Sequence, residues 1–339
     1  MSTAPQTQAP SPAVIFDTLN AYIRTDALRA GIELDLFTAI GEGNTTVAAI
    51  AKRIHASEKG TRVLCDYLAI IGLLTKDGSN YGLTADSGLF LNRHSPAYLG
   101  TVHKFLGTPQ LTGNFTDLAA VVRKGGTLHD QGTIEPENPV WVEFAHSMAA
   151  MARMPSELIA KQIGSDIPAD CKVLDVAAGH GLYGIAIANH HPKAHIVALD
   201  WAPVLAVAEE NAAKAGVANR FSKLPGSAFE VSLGSGYNLV LITNFLHHFD
   251  VPTNEAFLRK VHQAMAPGGI AVTLEFIPNE DRVTPPIHAS FAMIMLGSTP
   301  SGDAYTFAEL DSMFRNAGFS RSEMRELAPS PQRIIVSYK

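Results

Sequence analysis

The chain has 339 residues, of which 46% are hydrophobic and 17% charged, and its formal net charge is −6. This length can hold one large or two ordinary domains with a sizeable core. The acidic balance argues against general affinity for nucleic acid or an anionic membrane, because either partner would require a basic surface. We therefore expect neither partner.

The first 12 residues, MSTAPQTQAPSP, are rich in Pro, Ser and Gln. They predict a disordered tail, 1–12, without the basic and apolar regions of a signal peptide. No apolar run approaches the length of a membrane-spanning helix. Cys65 and Cys171 lie far apart in apolar runs, which predicts buried thiols rather than a disulfide. Together these features predict a cytoplasmic protein.

Helical patterns dominate the first domain, predicted over residues 13–105. Apolar residues recur there at helical spacing, beginning with Ile23, Ala27, Ile32, Leu36 and Phe37. Two short β-prone segments then flank Asp77-Gly78, a dipeptide typical of hairpin turns. Helices followed by a small hairpin predict a winged-helix-like domain.

Residues 106–165 are predicted to form a helical connector that lines a pocket, with one long helix from Trp141 to Ile163. From residue 166 to 339, apolar runs alternate with amphipathic helices. This alternation predicts an α/β domain with a mostly parallel sheet covered by helices on both faces.

A glycine-containing turn joins the first strand of this sheet to a helix in VLDVAAGHGLYGIAIA. Gly179 and Gly181 would let a ligand approach the backbone closely, and the first N–H groups of the helix could bind an anionic group. Asp200 ends the next strand, at about the spacing of an acid that binds ribose hydroxyls. The turn begins with Asp175 and lacks the first glycine of a dinucleotide motif, which favours a ligand with an ammonium group over a pyrophosphate.

Several motifs together resemble a known family. Asp175-x-Ala177-x-Gly179-x-Gly181 is similar to the D-x-G-x-G-x-G first motif of class I S-adenosylmethionine-dependent methyltransferases. ALDW, LPGSAFE and APGGIAVTLEFIP resemble the later motifs. With FAHSM, FLHHFD and the helical first domain, nearly the whole chain resembles the two-domain small-molecule O-methyltransferases, which include plant caffeate-type and bacterial polyketide-tailoring enzymes. The chain looks most like the bacterial branch with uncharacterised substrates.

This resemblance implies a Rossmann-like seven-stranded domain that binds S-adenosylmethionine, and a homodimer formed through the N-terminal domain. The cofactor contacts that it implies are Asp175, Ala177, Gly179, Gly181, Asp200, Trp201, Ser227, Ala228, Phe229 and Asn244. Ser227 departs from the family pattern, since many relatives carry an aspartate there.

Paired histidines follow the fourth strand in FLHHFD. In the family motif L-H-D-W, which this segment resembles, the histidine accepts the proton of the substrate hydroxyl; His247 takes its place and His248 that of the aspartate. A phenol is a poor nucleophile until it loses its proton, and a neutral imidazole can accept that proton near neutral pH. Since adjacent side chains point in different directions, we expect only His247 to face the site. Neighbouring ligands without a third also argue against a metal site.

Glu275 ends the fifth strand and matches a family glutamate that orients the catalytic histidine. A carboxylate there would fix the imidazole tautomer and stabilise the imidazolium; a solvated acid at a strand end is the alternative. Ala304 stands where the plant enzymes carry a second glutamate, so the histidine is expected to have one carboxylate partner.

The resemblance also implies a substrate pocket lined by Phe144, Met148 and Met293. Methionine suits an aromatic substrate because its side chain is soft and adapts in shape. His288, in the same apolar segment as Met293, is expected to be exposed.

The sequence thus predicts an O-methyltransferase that acts on a small hydroxylated, aromatic metabolite. Methyl transfer to carbon or nitrogen, or a non-methylating activity on the same scaffold, remains an alternative. A ligand-responsive DNA-binding regulator is the third hypothesis, but the helix that would contact DNA has only Lys59 and Arg62 as early basic residues.

Overall fold

A computed structural model describes residues 10–339, which form two compact units, residues 10–103 and 104–339. Most of the predicted disordered tail, residues 1–9, lies outside the described residues. No helix within 10–339 is long and apolar enough to cross a membrane. Cys65 and Cys171 are free and buried, as predicted.

The first unit consists mainly of helices. Its elements are α1 (Ala13–Leu19), α2 (Ala21–Glu33), α3 (Leu36–Gly41), α4 (Val47–Arg53), α5 (Glu58–Ile70), β1 (Leu74–Asp77), β2 (Asn80–Leu83) and α6 (Ala85–Phe90). Thr46, Ser57 and Thr84 cap α4, α5 and α6 through their side-chain oxygens. Strands β1 and β2 pair antiparallel across Gly78, which confirms the predicted hairpin.

Helices α3 and α5 with the hairpin enclose the core of this unit, where Leu36, Phe37, Cys65, Leu68 and Tyr81 are buried. Helix α1 contributes no buried residue, and α2 only Gly31 and Ile32. The first unit therefore leaves the large apolar side chains of α1 and of the start of α2 exposed.

The second unit begins with short helices and continues into the predicted α/β alternation. Its helices are α7 (His103–Leu106), α8 (Pro109–Gly113), α9 (Leu118–Lys124), α10 (Val140–Ser147), α11 (Ala149–Ile163), α12 (Leu182–His190), α13 (Ala202–Lys214), α14 (Val251–Ala264), α15 (Pro286–Ala289), α16 (Phe291–Ser298) and α17 (Phe307–Asn316). Its strands are β3 (Lys172–Val176), β4 (His195–Asp200), β5 (Phe221–Pro225), β6 (Tyr237–Thr243), β7 (Met265–Glu275), β8 (Arg321–Glu326) and β9 (Arg333–Tyr338).

These seven strands form one sheet in the order β5-β4-β3-β6-β7-β9-β8. All neighbours from β5 to β7 are parallel, whereas β9 pairs antiparallel with β7 and β8. The predicted mostly parallel seven-stranded fold is confirmed. The chain proceeds outward in one direction from β3 to β5 and in the other from β6 to β7. Ligands of such sheets bind at this switch point, outside the carboxyl ends of the strands.

The predicted single helix from Trp141 to Ile163 is wrong in one respect. The structure divides it at Met148, where α10 ends and α11 begins. Met148 has φ −93° and ψ −7°, so its backbone departs from regular helical values. No proline or glycine marks this position, and the apolar periodicity continues through it.

Candidate active site

The turn after β3 is shaped by residues with positive φ. Gly181 has φ +74°, and a Cβ there would lie 3.0 Å from the Cβ of Ala208, so any other residue would be strained and tightly packed. Ala177 has φ +50°. An L-residue in this region costs about 1–2 kcal/mol, so Ala177 stores strain at the position where the similar family motif carries glycine.

Asp200 is tied to this turn by backbone hydrogen bonds. Gly179 N–H donates to Oδ2 at 2.8 Å, and Trp201 N–H donates to Oδ1 at 2.7 Å. Burial raises the pKa of Asp200 to about 6. Each carboxylate oxygen can accept more than one hydrogen bond, so both retain capacity for the two hydroxyls of a ribose.

Asp175 lies at the end of β3 and is fully buried. Gly184 N–H donates to its Oδ2 at 2.9 Å, whereas Oδ1 has no hydrogen-bond partner. Burial raises the pKa of Asp175 to about 7, against the opposing effect of the Gly184 bond. An unpartnered buried carboxylate oxygen beneath the turn is chemically suited to a nearby cation such as an ammonium group.

The sequence predicted that the first N–H groups of α12 could bind an anion, but two of these groups already donate hydrogen bonds within the protein. Gly184 donates to Asp175, and Leu182 N–H donates to His180 Nδ1 at 3.2 Å. His180 itself is buried, and burial lowers its pKa to about 4, so it is a neutral acceptor at pH 7. These hydrogen bonds hold the turn in place.

The two histidines lie in a 3₁₀ turn, Leu246–His248, after β6. Asn254, on α14, fixes this turn because its Nδ2 donates to the carbonyls of Leu246 at 2.9 Å and Phe249 at 3.1 Å. Asn254 is fully buried. The histidines are therefore supported by a hydrogen-bonded turn rather than by a free loop.

Glu275 contacts His247 directly. Its Oε2 is hydrogen bonded to His247 Nδ1, and its Oε1 accepts from the backbone N–H of Phe245 at 3.0 Å and Leu246 at 2.9 Å. His247 and Glu275 are 5% and 3% exposed. This is a buried carboxylate–imidazole pair, not a solvated acid at a strand end.

His248 contradicts the expectation that adjacent histidines point apart. Its Nε2 lies 3.2 Å from His247 Nε2, and the ring centroids are 4.3 Å apart. Both histidines lie in the 3₁₀ turn, where successive side chains do not point to opposite faces as they do in an extended strand. Burial, together with the neighbouring His247, lowers the pKa of His248.

A row of stacked and edge-on rings joins the turn after β3 to the histidines. The centroid of Phe144 lies 6.2 Å from that of His180 and 5.6 Å from that of Trp141, and Trp141 lies 5.3 Å from His248. Phe291 then packs edge-on against His247 at 4.8 Å. Packed rings therefore connect the turn after β3 with the imidazole pair at the switch point of the sheet.

The remaining predicted cofactor residues follow the carboxyl ends of β4, β5 and β6. Asn244 has φ +53°, and its side chain is hydrogen bonded to Gln332 and Tyr183. Trp201 packs with α10 and α13. Ser227, Ala228 and Phe229 form the turn after β5, and Phe229 packs against Phe245 and Phe249.

The predicted substrate residues differ in position and in exposure. Phe144 lies against the turn, since a Cβ at Gly179 would be 3.5 Å from its ring. Met148 is half-buried at the α10–α11 junction, and Met293 is 46% exposed on the helix that begins with Phe291. The expectation of an exposed His288 is wrong: this ring is buried between the carbonyls of Ile277 and Pro331.

Sequence reasoning missed His180, Trp141 and the partnership of His248. A histidine between two turn glycines was the available signal for His180. Ala304 is buried, and it offers His247 no second carboxylate. The backbone beside it does contact His247, because Asp303 N–H donates to the His247 carbonyl at 3.0 Å. Within residues 10–339, no group of three His, Cys, Asp or Glu could hold a metal ion.

Fold and site together define a class I methyltransferase. The O-methyltransferase domain family matches residues 133–320, and the O-methyltransferase dimerisation domain family matches residues 16–93. The chain therefore belongs to the O-methyltransferase family and is an S-adenosylmethionine-dependent enzyme. These matches do not favour the DNA-binding regulator.

Individual relatives are similar to this chain over nearly their full lengths. The 3-hydroxy-5-methyl-1-naphthoate 3-O-methyltransferase of Streptomyces sahachiroi is 25% identical over 97% of this chain and 95% of its own. A solved Nostoc punctiforme protein, provisionally described as an O-methyltransferase, is 51% identical, covers 98% of this chain and 100% of its own, and superposes with a TM-score of 0.95. PigF of Serratia, solved with S-adenosylhomocysteine, is 24% identical with a TM-score of 0.84, covering 97% of this chain and 100% of its own.

Proposed function

We propose that this enzyme methylates a hydroxyl group of a small aromatic metabolite, with His247 and Glu275 as its base and orienting acid. The observation that carries the proposal is the buried contact between His247 Nδ1 and Glu275, at the carboxyl ends of β6 and β7. A carboxylate on Nδ1 leaves Nε2 as the basic atom of a neutral imidazole and stabilises positive charge on the ring. The aromatic substrate class is supported by the naphthoate named for the Streptomyces relative.

When bound, the cofactor would supply a methyl group on a sulfonium, whose carbon an acceptor oxygen could attack in line with S-adenosylhomocysteine as the leaving group. We assign its ribose to Asp200, its amino acid end to the turn from Asp175 to Gly181, and its adenine to Ser227, Ala228 and Phe229. Trp201 and Asn244 complete this set. The unpartnered Oδ1 of Asp175 and the spare acceptor capacity of Asp200 support the assignment.

The chain's own residues then hold the acceptor. Phe144, Met148 and Met293 are proposed to pack against its ring, and the apolar surroundings of His247 exclude water from the proton transfer. Exclusion of water strengthens the attraction between the imidazolium and Glu275.

The experiment that tests this function is a product screen. The protein is incubated with S-adenosylmethionine and a panel of phenols, hydroxynaphthoates, anilines and thiols, and mass spectrometry follows methylated product and S-adenosylhomocysteine together. We expect products only from hydroxylated aromatics. A panel in which anilines or ring carbons are methylated instead would contradict O-methyl transfer.

We also propose that the first unit is a winged-helix-like domain through which two chains form a homodimer. The match to the dimerisation family supports this proposal, as do the exposed apolar side chains of α1 and α2. The two free, buried cysteines support a reducing compartment such as the cytoplasm.

A further inference from the structure

The hydrogen bonds around His247 assign its proton. Glu275 accepts two backbone N–H groups with Oε1, while its Oε2 faces His247 Nδ1. Since a carboxylate only accepts, Nδ1 carries the proton, and the lone pair of neutral His247 lies on Nε2. The nearest polar atom described for this lone pair is His248 Nε2, at 3.2 Å.

The same reasoning assigns the proton of His248. Two lone pairs would repel each other at 3.2 Å, so His248 Nε2 carries a proton and donates to His247 Nε2. A neutral imidazole with a proton on Nε2 has its lone pair on Nδ1. That Nδ1 is buried and has no hydrogen-bond partner. The chain of hydrogen bonds from Glu275 therefore ends in an unfilled acceptor on His248, beside the ring of Trp141.

We propose that Glu275, His247 and His248 form a proton relay whose accepting end is His248 Nδ1. The proposal rests on the proposed O-methyl transfer. The acceptor O–H bond breaks and its proton bonds to His248 Nδ1, while the proton on His248 Nε2 passes to His247 Nε2. The electron pair left on oxygen forms the O–C bond to the methyl group, and the pair of the broken C–S bond stays on sulfur. The positive charge ends on His247, beside Glu275.

The geometry favours this route over direct transfer to His247. Direct transfer requires the hydroxyl to displace His248, because the single lone pair on Nε2 is already engaged. The relay keeps that hydrogen bond and uses the one imidazole nitrogen of the pair that has no partner. It also places the imidazolium on the ring that contacts a carboxylate.

Three variants test the relay: His248→Gln, His247→Gln and the double variant. A glutamine at position 248 can still donate an N–H to His247 Nε2, but it cannot pass a proton on. We expect His248→Gln and His247→Gln each to lower kcat for a phenolic acceptor by about 10²–10⁴-fold, and the double variant to be no worse than either, because members of one relay act as a unit. His195→Gln, at an exposed histidine on β4, is the matched control.

Affinity for S-adenosylhomocysteine, measured by calorimetry, should stay unchanged in all variants, which separates the relay from a general loss of structure. Nitrogen-15 NMR of the imidazoles, in the complex with S-adenosylhomocysteine, reads the tautomers without any acceptor. We expect His248 to be protonated on Nε2 only; a proton on its Nδ1 would overturn the relay. So would a His248→Gln enzyme that keeps more than about half of the wild-type kcat while His247→Gln loses it. That outcome leaves the proposed function intact, whereas a wild-type enzyme that methylates no phenol removes the function itself.

Discussion

Asp200 illustrates how far a single residue could be interpreted from sequence. Its place at the end of β4 followed from the spacing after the glycine turn. Its two backbone hydrogen bonds, from Gly179 and Trp201, could not be predicted, because they depend on how the turn after β3 folds against the end of β4.

Replacing Asp200 with Asn should weaken S-adenosylhomocysteine binding at least about tenfold. Hydrogen bonds to a charged group contribute about 1.5–3 kcal/mol each, and 1.4 kcal/mol corresponds to a factor of ten. Isothermal calorimetry measures the change, with Asp170→Asn, at an exposed position before β3, as the control. Equal affinity in wild type and Asp200→Asn would show that the ribose lies elsewhere.

Asp175 should make stability and cofactor binding depend on pH. Its pKa is raised from 3.8 to about 7 by burial, so between these values the folded state holds a proton that the unfolded state has lost. The free energy of unfolding contributed by this group is therefore highest below pH 4 and falls as the pH rises through 7.

Thermal unfolding between pH 5 and 8 should thus show a smaller loss of Tm in Asp175→Asn than in wild type, because the amide does not titrate. S-adenosylhomocysteine should stabilise the wild type more at pH 8 than at pH 5, since its ammonium group favours the ionised carboxyl. A variant with wild-type affinity at pH 8 would contradict the assignment of this end of the cofactor to Asp175.

Strands and helices could be predicted where hydrophobic periodicity determines their positions, whereas one helix break and one turn could not. The parallel sheet and the β1–β2 hairpin followed from pattern. The break at Met148 and the 3₁₀ turn of Leu246–His248 did not, because both depend on tertiary packing rather than on local sequence. Of the two, the 3₁₀ turn changes the interpretation of the site more, because it holds His248 in contact with His247.

Asn254, which fixes the 3₁₀ turn by its two hydrogen bonds, should be required for both stability and turnover. Asn254→Ala should lower the free energy of unfolding by about 1–3 kcal/mol, because the carbonyls of Leu246 and Phe249 lose a buried donor. It should also reduce kcat without weakening S-adenosylhomocysteine binding, because the histidines lose their support. Denaturant unfolding and calorimetry measure both effects. Asn316→Ala, at an exposed asparagine, is the control, and an equal effect there would argue against this role of Asn254.

For the whole molecule, the sequence indicated both the two-domain organisation and the family. It could not show which apolar side chains stay exposed. Val14, Ile15, Phe16, Leu19 and Tyr22 are each at least 59% exposed in the structure. A surface of this kind on a domain of the dimerisation family is suited to a second copy of the chain.

The double variant Phe16→Asp/Leu19→Asp should therefore convert a dimer into a monomer. Charges placed in an apolar interface lose their hydration without gaining partners. Light scattering should give twice the chain mass of 36.2 kDa for wild type and a single chain mass for the variant. Val283→Asp, at a position that is 68% exposed in the second unit, should remain dimeric. A monomeric wild type at micromolar concentration would contradict the homodimer.

Turnover of His247→Ala across pH 6–10, with a phenolic acceptor and S-adenosylmethionine, tests whether His247 acts as the catalytic base. At pH 7 turnover should fall by about 10²–10⁴-fold, the usual contribution of a positioned base, while affinity for S-adenosylhomocysteine stays nearly intact. Raising the pH towards the pKa of the phenol should restore part of the loss, because solvent can then remove the proton. Nearly full turnover of the variant at pH 7 would contradict a base at His247.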